Sequence, residues 1–357
     1  MSKIAFQGPL KDRIASFLTL NRIMCQVGLR QCVGQKMAPD WDVLTETGIR
    51  FIRHQFTHAM THKDINAGRT RFNSLLPKTP DVYDVSTQLS EDKTACWFTP
   101  KNGTSEAVVL YCHGGGYTFR GPVTYRFAEM LAHHLRARIY MPLYRLTPEH
   151  PHPAQAEDAL AAWDALVAQY APHQIAVIGD SAGGHMALIL LQNLKARGQT
   201  QPALCVGLSP WVDIGARGAS MTLNDPTDLV QGWMALQFGR WLAPDQHCNG
   251  AGLSPIHQDF SGLAPLYLQA GGREVLRDMI VDFATVQNEK GASIQLDLWD
   301  DMPHNFQAYD STKSSSSQAL ERLAKTFHSF VGAQAAFAPH LDGVTQRAQL
   351  NANRSHR

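Results

Sequence analysis

The stretch HQIAVIGDSAGGHMALILLQNL, residues 173–194, decides the fold of this chain. A short apolar run stops at the small residues GDSAGG (179–184), and a long periodic apolar segment follows. This order predicts a buried strand, a tight turn and a helix. Gly179 and Gly183 lack the Cβ atoms that would collide across such a turn, so Ser181 is expected at its peak with an exposed hydroxyl. That placement favours a nucleophilic serine.

The same alternation of strand and helix extends along most of the chain. Short apolar runs occur at 107–112, 137–143, 174–180, 203–210, 263–271 and 293–299. Amphipathic segments such as AEDALAAWDALVAQY stand between several of them. This pattern predicts an α/β protein with a mostly parallel central sheet and helices on both faces. The polar segment STKSSSSQ, 311–318, is expected to be a loop.

Composition excludes several classes of protein. The chain has 357 residues, of which 44% are hydrophobic and 18% charged, enough for a large core. Lys+Arg 32 against Asp+Glu 31 leaves a net charge of +1, which does not favour a nucleic-acid partner. No apolar run approaches the roughly 18 residues of a membrane span, and the N-terminus does not resemble a signal peptide. The six cysteines form no CxxC pair, which fits a cytoplasmic location.

Residues 1–80 differ in character from the rest, because short helical patterns joined by polar segments replace the strands. In the first of these helices, 12–29, one apolar face carries Ile14, Phe17, Leu18, Met24 and Val27. We expect this helix to pack on the body of the protein; a helix lying on a membrane surface is the alternative. At the other end, residues 338–357 lack an apolar period and are expected to be disordered.

A second glycine cluster, HGGG at 113–116, follows the first long apolar strand. When a serine attacks a carbonyl, negative charge develops on the oxygen, and backbone N–H donors must approach it to within about 3 Å. Gly114 and Gly115 can supply such donors, and Ala182 can supply another. A phosphate-binding loop is disfavoured, since the cluster lacks both the GxxxxGK[ST] lysine and the GxGxxG spacing.

A nucleophilic serine needs a histidine to take its proton and an acid to orient that histidine. Of the 16 histidines, His304 follows the last clear strand, so its loop is expected above the same sheet edge as Ser181. The acid is expected after the preceding strand, where Glu274 stands; Asp278 is the alternative. The order Ser181, Glu274, His304 is typical of one large class of serine hydrolases.

Six motifs also carry a resemblance to a known family: HGGG (113–116), YRLTPEHPHPA (144–154), GDSAGG (179–184), LSPWVD (208–213), GGREVLRD (271–278) and MPHNFQ (302–307). In this order they resemble the hormone-sensitive-lipase-like family of α/β-hydrolases, the microbial carboxylesterases. The resemblance covers about residues 80 to 332. It implies an α/β-hydrolase fold in which Ser181 is the nucleophile, His304 the base, and Gly114, Gly115 and Ala182 the oxyanion donors. The family's usual acid is an aspartate at the position of Glu274, and glutamate can serve the same role.

The resemblance further implies an N-terminal helical cap, 1–80, over a catalytic domain, 81–337, with a second cap piece at 213–247. It implies a serine carboxylesterase that hydrolyses short- to medium-chain esters through an acyl-enzyme, with a small-molecule ester as its partner and no metal or organic cofactor. The same triad would serve a lactonase, an amidase or a biosynthetic acyltransferase. A non-catalytic receptor on this fold is the other alternative, and a homodimer through the last strand and helix is a further implication.

Two structural expectations concern residues around this site. Arg145 and Glu149 are expected to form an ion pair that holds the loop after the fourth strand. The cap aromatics could line an acyl pocket, but we expect them to form the core of the cap instead; they are Phe51, Phe56, Trp233, Phe238 and Trp241.

Overall fold

A single eight-stranded sheet organises the protein. The computed structural model describes residues 4–39, 41–77, 83–245, 252–309 and 313–331. The strands of this sheet are β3 (Val85–Leu89), β4 (Ala95–Pro100), β5 (Val108–Cys112), β6 (Arg138–Pro142), β7 (Ile175–Asp180), β8 (Leu204–Leu208), β9 (Leu266–Gly271) and β10 (Ile294–Trp299). Their order is β10-β9-β8-β7-β5-β6-β4-β3. A separate antiparallel pair joins β1 (Ile4–Phe6) to β2 (Leu75–Pro77).

All six predicted strands are present as β5 to β10. They form a continuous parallel sheet in the spatial order β6-β5-β7-β8-β9-β10. Because the carboxyl ends of parallel strands meet at one edge, the loops that follow β5, β7, β9 and β10 lie close together there. The antiparallel strands β3 and β4 were not predicted. Strand β3 is the edge strand, and its sequence VSTQL is mostly exposed, so it has no apolar pattern to reveal it.

Helices cover both faces of the sheet, which confirms the expected fold class. They are α1 (Leu10–Cys32), α2 (Val43–Thr61), α3 (Ile65–Phe72), α4 (Pro122–Leu135), α5 (Ala154–Val167), α6 (Ala182–Ala196), α7 (Ser220–Leu223), α8 (Gly232–Leu242), α9 (Arg277–Glu289) and α10 (Ser314–Phe330). One core layer packs α5, α6 and α9 against the sheet. The opposite layer packs α4 and α10. Strands such as β5 and β7 are therefore buried along their whole length, which explains their continuous apolar sequences.

Helix α1 is present, but it packs through a different face from the one expected. Its buried residues are Ser16, Ile23 and Val27, which lie against α2 and β2. The apolar side chains expected in the contact are largely exposed: Ile14 50%, Phe17 55%, Leu18 61% and Met24 38%. Only Val27 of the predicted face is buried. The prediction of a helix is therefore confirmed, but the prediction that its apolar face is buried is wrong.

One expectation about the C-terminal part of the chain is wrong. The segment 311–318 is not a loop throughout, because α10 begins at Ser314 and the Ser316 hydroxyl donates to the carbonyl of Phe306. Its serines form the first turn of a helix whose apolar residues lie further on.

The tail expected at 338–357 lies outside the described residues. Within those residues, none of the helices has both the length and the apolar content that crossing a bilayer requires.

The expected ion pair between Arg145 and Glu149 does not form. Arg145 lies 2.8 Å from both Glu157 and Asp158 at the start of α5. Glu149 instead lies 2.6 Å from Arg69 of α3. The loop that carries both residues turns between them, so the Arg145 side chain faces α5 and the Glu149 side chain faces α3.

Candidate active site

Ser181 occupies a strained turn between β7 and α6. Its φ of 54° and ψ of −121° lie outside the regions that a serine normally adopts. The backbone holds this conformation, because the Ser181 N–H donates to Leu208 at 2.9 Å and the Trp211 N–H donates to the Ser181 carbonyl at 3.0 Å. A Cβ at Gly179 would run into the backbone of Gly183. Gly179 is thus required by the close approach of the two sides of the turn, and Gly183 by its close approach to the backbone of Cys112.

His304 lies in the loop after β10 and is 2% exposed. Its Nδ1 lies 3.1 Å from Oε2 of Glu274, which comes from the segment between β9 and α9 and is fully buried. Burial by itself would lower the pKa of His304, but the hydrogen bond and the charge of Glu274, followed by the charges of Asp228 and Asp180, raise it above its ordinary value. With Nδ1 directed at a carboxylate, Nε2 is the ring nitrogen that remains to accept a proton.

One cavity of about 270 Å³ brings these groups together, since Ser181, Ala182, Gly115 and His304 all line it. Among the hydrogen bonds of the described residues, none joins the Ser181 hydroxyl to the His304 ring. In enzymes without substrate such a contact is often long and shortens only in the complex. The two side chains therefore meet as neighbouring walls of one cavity.

The glycine cluster after β5 requires one correction. The Gly114 N–H donates to Oδ1 of Asp180 at 2.7 Å, so Gly114 cannot serve as the predicted oxyanion donor while this bond is kept. The next two glycines have positive φ values, 101° at Gly115 and 61° at Gly116, and both line the cavity. Within the described residues, the N–H groups of Gly115, Gly116 and Ala182 have no hydrogen-bond partner. These three donors, and not Gly114, are available to a developing oxyanion.

Asp180, the residue before Ser181, connects three loops of the site. Its buried carboxylate accepts hydrogen bonds from the Tyr111 hydroxyl at 2.6 Å, from the Gly114 N–H and from Nδ2 of Asn305 at 2.8 Å. Burial raises its pKa above the ordinary value, and these hydrogen bonds partly offset the effect. Asp180 thereby links the glycine loop and the histidine loop to the serine turn.

Asp228, a second buried carboxylate, was missed by the sequence reasoning. Its Oδ1 accepts from the His304 N–H at 3.0 Å and from the Leu229 N–H at 2.8 Å, and its Oδ2 accepts from the Val275 N–H at 2.8 Å. Burial raises the pKa of Asp228 to about 6, although the charge of His304 acts in the opposite direction. Asp228 fixes the backbone of His304 and of the residue after Glu274. No local motif marks it.

Comparison with known proteins shows where this arrangement belongs. A family model described as the α/β-hydrolase fold matches residues 109–308. The chain belongs to the α/β-hydrolase family. An acetyl-hydrolase of Streptomyces hygroscopicus is 32% identical over 232 residues, covering 64% of this chain and 77% of that protein. An esterase of Acinetobacter venetianus is 29% identical, covering 61% of this chain and 73% of its own.

Solved structures give the same result. A mutant of the esterase E40 matches with a TM-score of 0.74 at 32% identity, covering 80% of this chain and 97% of that chain. An esterase from the bacterial hormone-sensitive lipase family matches with a TM-score of 0.68 at 29% identity, covering 88% of this hydrolase and 98% of that chain. The resemblance to the hormone-sensitive-lipase-like α/β-hydrolases is thereby confirmed.

Asp278, the alternative acid of this hydrolase, is directed elsewhere. Its Oδ2 accepts from the Ser220 N–H at 2.8 Å, and its Oδ1 lies 2.7 Å from Arg277. Of the two candidate acids, Glu274 alone contacts His304 in the structure. Asp278 instead joins the start of α9 to α7.

The expected cap aromatics divide into two groups. Phe51, Phe56 and Phe238 line the cavity and also pack in the hydrophobic clusters, so they form both its wall and part of the expected core. Trp241 packs on Phe238 with ring centroids 6.1 Å apart, and Trp233 is 38% exposed. The cavity wall is therefore largely aromatic and aliphatic on the side formed by α2 and α8.

No cofactor position follows from the side chains of the described residues. His54 and His58 stand four residues apart in α2, and His62 follows as the residue directly after the helix. Even so, within the described ranges no group of three histidine, cysteine or carboxylate side chains is arranged to hold a metal ion.

Proposed function

We propose that this protein is a serine carboxylesterase that works through an acyl-enzyme on Ser181. The observation that carries the proposal is the buried pair of His304 and Glu274, in which His304 lines the same cavity as the strained Ser181. A histidine whose Nδ1 is fixed by a carboxylate can take a proton at Nε2, and this is the role that activation of a serine requires. A non-catalytic receptor is disfavoured, since such a protein has no need of this pair.

The proposed reaction has two halves. The Ser181 oxygen attacks the ester carbonyl while His304 accepts the hydroxyl proton and Glu274 stabilises the imidazolium that forms. The N–H groups of Gly115, Gly116 and Ala182 hold the oxyanion. The C–O bond to the alcohol then breaks, and His304 returns the proton to the departing oxygen. Water, deprotonated by His304, attacks the acyl-enzyme in the second half and releases the carboxylic acid together with the free serine.

The cavity supports short- to medium-chain esters as substrates. A cavity of about 150 Å³ holds a benzene molecule, so the 270 Å³ here have room for on the order of ten heavy atoms. Phenylalanine side chains such as Phe51 and Phe127 favour apolar acyl and alcohol groups at the wall.

We assign residues 1–80 and 213–247 to a cap over a catalytic domain that spans 81–337. In support, helices α2 and α8 contribute Phe51, Phe56 and Phe238 to the cavity wall. We also propose a cytoplasmic location, because five of the cysteines are free thiols: Cys25, Cys32, Cys96, Cys112 and Cys205. A homodimer through β10 and α10 stays a prediction that sedimentation analysis can test.

A panel of p-nitrophenyl esters, with amides and lactones beside it, tests the activity. Ser181→Ala should reduce ester hydrolysis by about 10⁴-fold or more, because the nucleophile is lost while the fold is kept. Ser86→Ala, on the outer strand β3, is the matched control and should match the wild type. A fluorophosphonate should label the wild type at Ser181 and leave Ser181→Ala unlabelled. Substantial ester turnover by Ser181→Ala would contradict the proposal, as would faster reaction with amides or lactones.

A further inference from the structure

The outer surface of α1 is apolar where it meets solvent. Twelve large apolar side chains are exposed in the described residues, and seven of them lie on α1 or directly after it: Leu10, Ile14, Phe17, Leu18, Met24, Leu29 and Val33. Leu10, Leu18 and Leu29 are 67%, 61% and 73% exposed. At 100° per residue most of these positions form one stripe along the helix, opposite the buried Ser16, Ile23 and Val27. A stripe of this length is more than the scattered apolar exposure of an ordinary surface.

Cations accompany this stripe. Helix α1 contains four basic residues, Lys11, Arg13, Arg22 and Arg30, and all four are exposed. Its single acidic residue, Asp12, lies 4.0 Å from Arg71 on the inner side. The helix thus carries a net charge of +3, although the whole chain carries only +1. An apolar stripe with cationic borders is the pattern of a helix that lies in the plane of an anionic membrane surface.

The position of α1 connects this surface to the cavity. On its inner side, Ile23 and Val27 pack in one cluster with Phe51 of α2 and Leu75 of β2. Phe51 and Leu75 also line the cavity. The outer stripe is therefore separated from the cavity wall by about one helix diameter, roughly 10 Å.

We propose that α1 is a membrane-surface helix, which seats the protein on bilayers that contain anionic phospholipid, with the stripe of Leu10, Ile14, Phe17, Leu18 and Met24 in contact with lipid. The helix lies on the bilayer and does not cross it. This proposal does not depend on ester hydrolysis.

A second copy of the chain fits the apolar stripe of α1 less well than an anionic membrane does. Arg22 stands near the middle of the 23-residue helix. A twofold axis through that point, which is the usual symmetry of a dimer contact, would place Arg22 against its own copy. Like charges facing each other without an acidic partner oppose such a contact, whereas phosphate headgroups would neutralise them.

Vesicle flotation with the full chain tests the proposal. Vesicles of equal parts phosphatidylcholine and phosphatidylglycerol should carry the wild type to the top of a gradient at low salt, and high salt should weaken the binding. The double variant F17D/L18D should bind at least about tenfold more weakly, because two apolar side chains become charged. Leu89→Asp, which places the same charge on an exposed leucine of β3, is the matched control and should bind like the wild type.

Two further measurements make the result decisive. A solvent-sensitive dye on Cys25, which is exposed on α1, should shift to shorter wavelength when anionic vesicles are added to a Cys32→Ser background. Circular dichroism and Tm should show that F17D/L18D is folded. Three results would overturn the proposal: a wild type that does not float, an F17D/L18D variant that floats equally well, or a wild-type dimer that F17D/L18D converts to monomer.

Discussion

Replacing Glu274 by glutamine tests the candidate site most directly, because the substitution keeps the size of the side chain and removes its charge. The carboxylate lies 3.1 Å from Nδ1 of His304, and the two side chains are 0% and 2% exposed. Removing one partner of such a buried pair costs about 3–5 kcal/mol. The cost falls on the transition state, where His304 becomes cationic, so kcat/KM should drop by about 10² to 10⁴.

The pH profile gives a second readout of the same substitution. The Glu274 charge favours protonated His304 and raises its pKa, while catalysis requires the neutral ring. Glu274→Gln should therefore lower the pKa of His304 and move the acid limb of kcat/KM to lower pH. A variant that had merely become less stable would lose activity without this shift.

Asp278→Asn is the matched control for Glu274→Gln. It changes the next carboxylate along the chain, which contacts Ser220 and Arg277 and not the histidine. Its kcat/KM for p-nitrophenyl butyrate should stay within about threefold of the wild type, since a solvent-accessible ion pair contributes little. The reasoning is refuted if Glu274→Gln keeps a tenth or more of the wild-type activity, or if Asp278→Asn loses as much as Glu274→Gln.

Two further substitutions probe the surroundings of the triad. Asp228→Asn leaves one acceptor oxygen for three N–H groups, so kcat should fall by about tenfold with little change in KM. The acid limb of the kcat/KM profile should also move to lower pH, because the charge of Asp228 raises the pKa of His304. An unchanged pH profile with a lower Tm would indicate a structural role only. Ile52→Trp fills part of the cavity from α2, so kcat/KM for the octanoyl ester should fall at least about tenfold relative to the acetyl ester; equal losses would contradict the assignment of the wall.

The sequence predicts the sheet and the serine turn well because their signals are local. Strands β5 to β10 are almost entirely buried, so apolar residues dominate each of them and the pattern can be recognised without knowledge of the neighbouring strands. The turn at Ser181 is marked by glycines within two residues of it. In contrast, β3 is exposed along most of its length, and its polar sequence does not differ from a loop.

The direction of α1 was misjudged for a physical reason. Periodicity identifies an apolar face, and the usual inference is that an apolar face is buried. Here the buried side carries Ser16 along with Ile23 and Val27, and the Ser16 hydroxyl bonds to Ser74 at 3.0 Å and to Gln55 at 2.7 Å. A serine that is satisfied by buried polar partners cannot be distinguished in sequence from one that faces water.

Of the carboxylates around His304, some can be predicted from the sequence and others cannot. Glu274 was found because it follows a recognisable strand, but Asp228 contacts residues that lie 47 and 76 positions further along the chain. Such a contact exists only after the sheet has brought the loops of β8, β9 and β10 together. Asp228 holds the backbone of Val275 and His304, and Asp180 holds the glycine loop and Asn305. The geometry of the three proposed triad residues therefore depends on two carboxylates that transfer no proton in the proposed mechanism. We therefore expect substitutions at Asp180 and Asp228 to disturb the alignment of Ser181 with His304 before they affect the overall fold.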